Sequence, residues 1–177
     1  MMTDRMNERV VKAKAEGGTY LSIAGAVLLI LAGVFLMFTI SSYGLILSVI
    51  GVYLIIYFKD GFNLEYEYTL TNGDVDIAKI LAKSRRKDIR SISADSITYV
   101  NYADSDRVKN DLDVKRGKAA IRDFSGRGED DGKRVAIYST QGDKESIDIL
   151  NLNDKCILHL KEVLKTKCEI KDVRKEA

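Results

Sequence analysis

Residues 62–81 read FNLEYEYTLTNGDVDIAKIL, and this stretch decides the fold. Phe62, Leu64, Tyr66, Tyr68 and Leu70 fall on one side of an extended chain, and Asn63, Glu65, Glu67, Thr69 and Thr71 on the other. That period of two marks a half-buried strand. Asn72-Gly73 follows, a dipeptide that accepts the positive φ of a type I′ turn. A two-residue loop pairs Leu70 with Val75, Tyr68 with Ile77, Tyr66 with Lys79 and Leu64 with Leu81. The return strand over 74–81 therefore completes an apolar face interrupted by a single lysine.

Upstream, residues 19–58 hold forty positions without a charged side chain, in a chain where 31% of residues are Asp, Glu, Lys or Arg. As one helix they would be roughly 60 Å long, about twice the hydrocarbon thickness of a bilayer, so two crossings are expected. The polar break Ser41-Ser42, with Tyr43 and Gly44, sets the turn of a helical hairpin with spans of about 20–40 and 43–58. The second span is short. Gly25, Gly33, Gly44, Ser48 and Gly51 are the small residues that allow close helix packing, within the hairpin, against another membrane helix or against a second copy. Neither span carries an ionisable residue, so a proton relay has no carrier and an anchor is expected.

Residues 1–18 carry Arg5, Arg9, Lys12 and Lys14, whereas the turn between the spans carries no Lys or Arg. The positive-inside rule then puts the N-terminus in the cytoplasm and, with two spans, the C-terminus as well. This N-terminal stretch reads either as a solvated tail or as a short amphipathic helix, because Arg5, Arg9 and Lys12 recur at helical spacing, as do Met6, Val10 and Ala13.

Downstream, Lys83, Arg85, Arg86, Lys87 and Arg90 are opposed only by Asp88. Such a run either docks on an anionic leaflet or protects a sheet edge against pairing with another sheet. Ile89, Ile92, Ile97 and Tyr99 predict two further strands ending near Tyr102. Residues 103–118 are polar and predict a loop, 119–124 a short strand, and 125–132 a turn. Residues 134–140 and 145–152, joined by Gln141-Gly142-Asp143, predict a second hairpin. Asn153 suits an N-cap, and Cys156, Ile157, Leu160, Val163 and Leu164 follow at the spacing of a helix over about 154–165. Residues 168–171 offer a short terminal strand.

The chain holds few residues in reactive or ligating patterns. Net charge is +2, with 24 basic against 23 acidic residues after position 58, which is not the balance of a nucleic-acid binder. Cys156 and Cys168 form no CxxC pair and read as reduced, buried thiols of a cytosolic compartment. His159, the single histidine, lies on the flank of the last helix's apolar stripe with no nucleophile partner in view. GRGEDDGK at 126–133 departs from a phosphate loop, which needs glycine at Arg127 and Ser or Thr at Arg134. Asp104, Asp106, Asp111 and Asp113 fail the calcium-loop pattern, because Val108 occupies a ligand position. No metal, cofactor or catalytic residue is expected.

An uncharged two-span hairpin, a YEYTLTNGDVDI stretch at 66–77, a basic RRKDI segment and a closing helix resemble an uncharacterised bacterial family of two-span membrane proteins with a pleckstrin-homology-like domain. The resemblance implies a membrane α-helical hairpin plus a mainly-β soluble domain: a partly open barrel of about seven antiparallel strands capped by the C-terminal helix. Residues 1–18 would then be a cytoplasmic tail, 19–58 the hairpin, 59–167 the domain and 168–177 a tail. Such domains bind lipids or proteins and carry no reaction. The expected function is therefore a non-enzymatic protein of the bacterial cell membrane that recruits a protein partner or docks on anionic lipid. The alternative is a small accessory subunit of a membrane transport or envelope complex.

Overall fold

A computed structural model of the chain describes residues 6–15, 17–39, 42–127 and 131–171. They form two compact units. One is β-rich and comprises the described residues up to Ala13, Glu65–Ile80 and those from Arg86 on. The other, Lys14–Leu64 with Leu81–Arg85, is mainly helical.

The β-rich unit has two four-stranded sheets. Strands β1 (Met6–Lys12), β2 (Leu64–Thr71), β3 (Asp74–Leu81) and β4 (Arg85–Ile92) form the first, in sequential order. Strands β5 (Ile97–Tyr102), β6 (Ala120–Asp123), β7 (Lys133–Gln141) and β8 (Lys144–Leu152) form the second, in the order β5-β7-β8-β6. The β2–β3 turn is as the sequence predicts: Asn72 and Gly73 both have positive φ, at 51° and 94°. Gly73 meets a second constraint, since a Cβ there would lie 2.7 Å from Val163 Cγ1 and 3.1 Å from Ala94 Cβ. Leu64, Tyr68, Leu70, Val75 and Ile77 are buried, so the alternation read in the sequence is the alternation of the core. Burial pushes the Tyr68 hydroxyl's pKa upward, and that hydroxyl donates to the Phe124 carbonyl at 2.5 Å.

Four expectations are corrected. Within the stretch read as a tail or amphipathic helix, Met6–Lys12 is β1, antiparallel to β2 in register from Met6↔Thr71 to Lys12↔Glu65. Its residues fit both periods, and the open edge of β2 decides between them, because pairing satisfies the backbone of β2 and buries Val11 completely. In place of a partly open barrel of about seven antiparallel strands, the described residues form eight strands in two separate sheets, with β6 parallel to β8. The loop expected over 103–118 contains α3 (Asp106–Val114), which packs Val108 and Leu112 onto Tyr99, Ala103, Ala136, Tyr138, Ile147 and Ile149. With only Val108 and Leu112 packed, at i and i+4, and Val114 exposed, its helical form depends on that tertiary contact. Finally, Cys168 and Ile170 are buried in the main core, Cys168 bridging to Val100, so the domain runs past residue 167.

Helix α4 (Asp154–Leu164) packs Cys156, Ile157, Leu160 and Leu164 into the core. The Asn153 side chain accepts from the Cys156 backbone N–H at 2.9 Å. Asn153→Ala is therefore expected to cost about 1 kcal/mol, read as a lower denaturant midpoint at unchanged slope.

In the helical unit, α1 (Gly17–Thr39) and α2 (Gly44–Phe58) run antiparallel, and a short 3₁₀ turn, Lys59–Phe62, extends α2. Among the helices' described residues, Ala26, Gly33, Gly44 and Gly51 are buried. Leu21, Leu28, Leu31, Phe35, Phe38, Leu45, Ile46 and Val49 are exposed. Both segments are long and apolar enough to cross a membrane, the second as the 19 residues Gly44–Phe62, roughly 28 Å of helix.

Candidate functional site

The basic run divides once folded. Lys83 sits in the β3–β4 turn at φ 57°, exposed, and Lys87 is exposed on β4. Neither makes an ion pair among the described residues. Arg85 approaches Asp60 only to 3.9 Å, with its side chain 76% exposed. Arg86 is matched by Glu67 at 3.2 Å and Asp88 at 3.5 Å. Arg90 turns inward, its side chain 18% exposed. Its Nε lies 3.4 Å from the carboxylate of Asp148, and its Nη2 donates to Ser146 Oγ at 2.8 Å and to Ser139 Oγ at 3.4 Å.

Asp148 is fully buried and is the centre of this cluster. Arg122, on β6, donates from Nη1 to its other oxygen at 3.2 Å. Register brings the group together: Ser139 stands opposite Ser146 and Ile137 opposite Asp148 across β7–β8, while Arg122 pairs with Asp148 across β6–β8. The two serine hydroxyls are 2.9 Å apart. Charge is thus carried into the buried part of β8, where a carboxylate survives only with partners. Sequence reading missed Arg122 and Asp148. The available signal was the lone acid inside the apolar run 147–152, IDILNL.

A larger cavity of about 740 Å³ opens beside Tyr102, Ser105, Gly132, Lys133, Arg134 and Asn151. Its cations are matched, Lys133 by Asp154 at 3.0 Å and Arg134 by Asp123 at 3.1 Å. Asn151 accepts from Arg9 Nη2 at 3.4 Å, which ties β1 to the second sheet.

Of the glycine-rich run 126–133, residues 128–130 lie outside the described residues. Gly126, at φ 77°, turns the chain against β1, and the Arg127 N–H donates to the Lys12 carbonyl at 2.9 Å. His159 is buried on α4. Cys156 and Cys168 are free and buried, and burial pushes both thiols' pKa up, away from a reactive thiolate. Among the described residues no three His, Cys, Asp or Glu side chains converge as metal ligands.

In the helical unit, Gly33 and Gly44 pack backbone to backbone, and a Cβ on Gly51 would meet Ile30 and the Ala26 carbonyl. Ser48 Oγ lies 3.3 Å from the Ile30 and Gly44 carbonyls. Gly25 has nothing within 4 Å of the position its Cβ would take.

Compared with known families, residues 3–170 match the family described as Bacterial PH-like domain (DUF6106). The matched range includes both apolar helices as well as the two sheets. No curated protein and no solved structure matches the chain.

Proposed function

The chain belongs to the bacterial PH-like domain family, and on that footing we propose that it is a non-enzymatic, membrane-anchored protein. It holds the domain at the cytoplasmic face of a bacterial membrane, where the cations of the β3–β4 turn meet anionic lipid and the domain recruits a protein partner. The observation that carries this reading is where the helical pair lies in the chain. Strand β1 precedes it, β2 follows it, and the two strands pair over seven residues. Entry and exit of the pair therefore belong on one side of any bilayer it enters, which requires an even number of crossings. Two exposed, apolar helices supply that number. The four basic residues before α1 favour the cytoplasmic side.

Lys83, Arg85 and Lys87 are the members of the basic run left available for headgroups. Each is worth on the order of 1 kcal/mol at an anionic surface. Full-length protein reconstituted in nanodiscs tests both halves of the reading. Lys83 and Lys87 are expected to acylate more slowly in discs containing anionic lipid than in zwitterionic ones. Equal rates would remove lipid docking, and release of the chain from native membranes by alkaline carbonate would remove the anchor.

Gly25 favours the second reading, an accessory subunit of a transport or envelope complex. Unused between α1 and α2, it offers a small-residue position to another membrane helix. A stoichiometric membrane partner in a crosslinked pull-down would support that reading over the first.

A further inference from the structure

Where β4, β6 and the β7–β8 turn meet, a cavity of about 190 Å³ is walled in part by Arg90, Arg122, Gln141, Lys144 and Ser146. Its charges do not cancel. Glu145, also on its wall, is taken up by Lys115 at 2.8 Å. Asp148 beneath it is shared between Arg90 and Arg122 and can neutralise only one of them. Lys144, exposed at the turn, makes no ion pair among the described residues. Three cations against one shared carboxylate leave two positive charges unmatched. Donors are left over as well: Arg122 commits one nitrogen to Asp148, whereas Arg90 directs Nε to Asp148 and Nη2 to the two serines.

We propose that this cavity binds a phosphate group, as inorganic phosphate or the head of a phosphate monoester. A monoester dianion equals the unmatched charge. The Arg122 guanidinium presents N–H donors in the geometry that phosphate oxygens accept, Arg90 adds positive charge behind it, and Lys144 adds a point charge at the mouth. The volume, about six times the ~30 Å³ share of a liquid water, admits a phosphate and its ester oxygen. Partial burial of the arginines strengthens the attraction relative to an exposed patch. The site lies within the β-rich unit and does not depend on the helices entering a bilayer.

The test titrates full-length protein in mild non-ionic detergent with inorganic phosphate by calorimetry, with short-chain phosphatidic acid in a parallel arm. Saturable one-to-one binding is expected, weakening with added salt. Lys144→Gln, at an exposed turn, should weaken it about tenfold, as expected for losing one charge-assisted contact. Arg122→Gln combined with Lys144→Gln should abolish it. An unchanged denaturation midpoint for Lys144→Gln separates lost binding from lost folding. Binding of phosphate alone identifies a soluble source, binding of both identifies a lipid headgroup, and either supports the site. Absence of saturable binding, or binding that the double variant retains, overturns it. Lys83, Arg85 and Lys87 stay intact throughout, so the outcome is separate from that of lipid docking.

Discussion

Deleting residues 1–13 is expected to abolish cooperative folding of the β-rich unit, even though some fifty residues of apolar helix and connecting chain separate β1 from the rest of that unit. The deletion removes the antiparallel partner of β2 over residues 65–71. It also takes away Val11 and Ala13, both essentially fully buried, the Arg9–Asn151 bond across the two sheets, and the Lys12 and Ala13 carbonyls that hold Arg127 at 2.9 and 3.0 Å. Burying one valine side chain is worth about 1.5–3 kcal/mol, and each lost inter-strand hydrogen bond about 0.5–1.5 kcal/mol net. Together these approach the 5–15 kcal/mol that holds a typical domain. The complementary variant joins Ala13 to Leu64 through Asn-Gly in place of Lys14–Asn63. The Lys12↔Glu65 register leaves Ala13 and Leu64 facing each other, ready for a two-residue turn. This variant should unfold cooperatively in water without detergent. Circular dichroism with urea titration reads both, and a cooperative transition in the deletion variant would refute the assignment of β1. A domain fragment starting at residue 60 would lack this strand and is a poor vehicle for binding assays.

Asp148→Ala is expected to cost about 3–5 kcal/mol, because it leaves Arg90 partly buried beside two serine hydroxyls and no counter-charge. The companion Asp148→Leu, Arg90→Met should recover much of that loss, since replacing a whole buried pair with apolar groups is far cheaper than breaking it. Equilibrium unfolding in detergent gives both numbers, and Arg122→Gln completes the set by removing the carboxylate's other partner. A cost below about 1 kcal/mol for Asp148→Ala would mean that the guanidiniums find solvent, and the cluster would lose its role in holding β4 and β6 against β8.

Much of the fold is legible locally. The Asn72-Gly73 hairpin, the β7–β8 hairpin, the Asn153 cap with its helix, and the two apolar helices Gly17–Thr39 and Gly44–Phe58 all follow from short-range patterns, since period, turn chemistry and capping depend on neighbours within a few residues. The candidate sites are less legible. Lys83, Arg85, Arg86, Lys87 and Arg90 look alike in a list of charges, yet Arg90 turns inward, because β4 carries it opposite the polar positions Ser139, Ser146 and Asp148. Arg122 and Asp148 are 26 residues apart and belong together only through the parallel β6–β8 pairing.

The two apolar helices, the hairpins and the closing amphipathic helix are each encoded in contiguous residues. Long-range packing makes residues 6–12 a strand, lays α3 over the outer face of the second sheet, and divides the basic run between surface and interior. In each case the local pattern admits two answers, and the choice rests on a distant partner: the open edge of β2, an apolar sheet face, and a carboxylate with no other way to be buried.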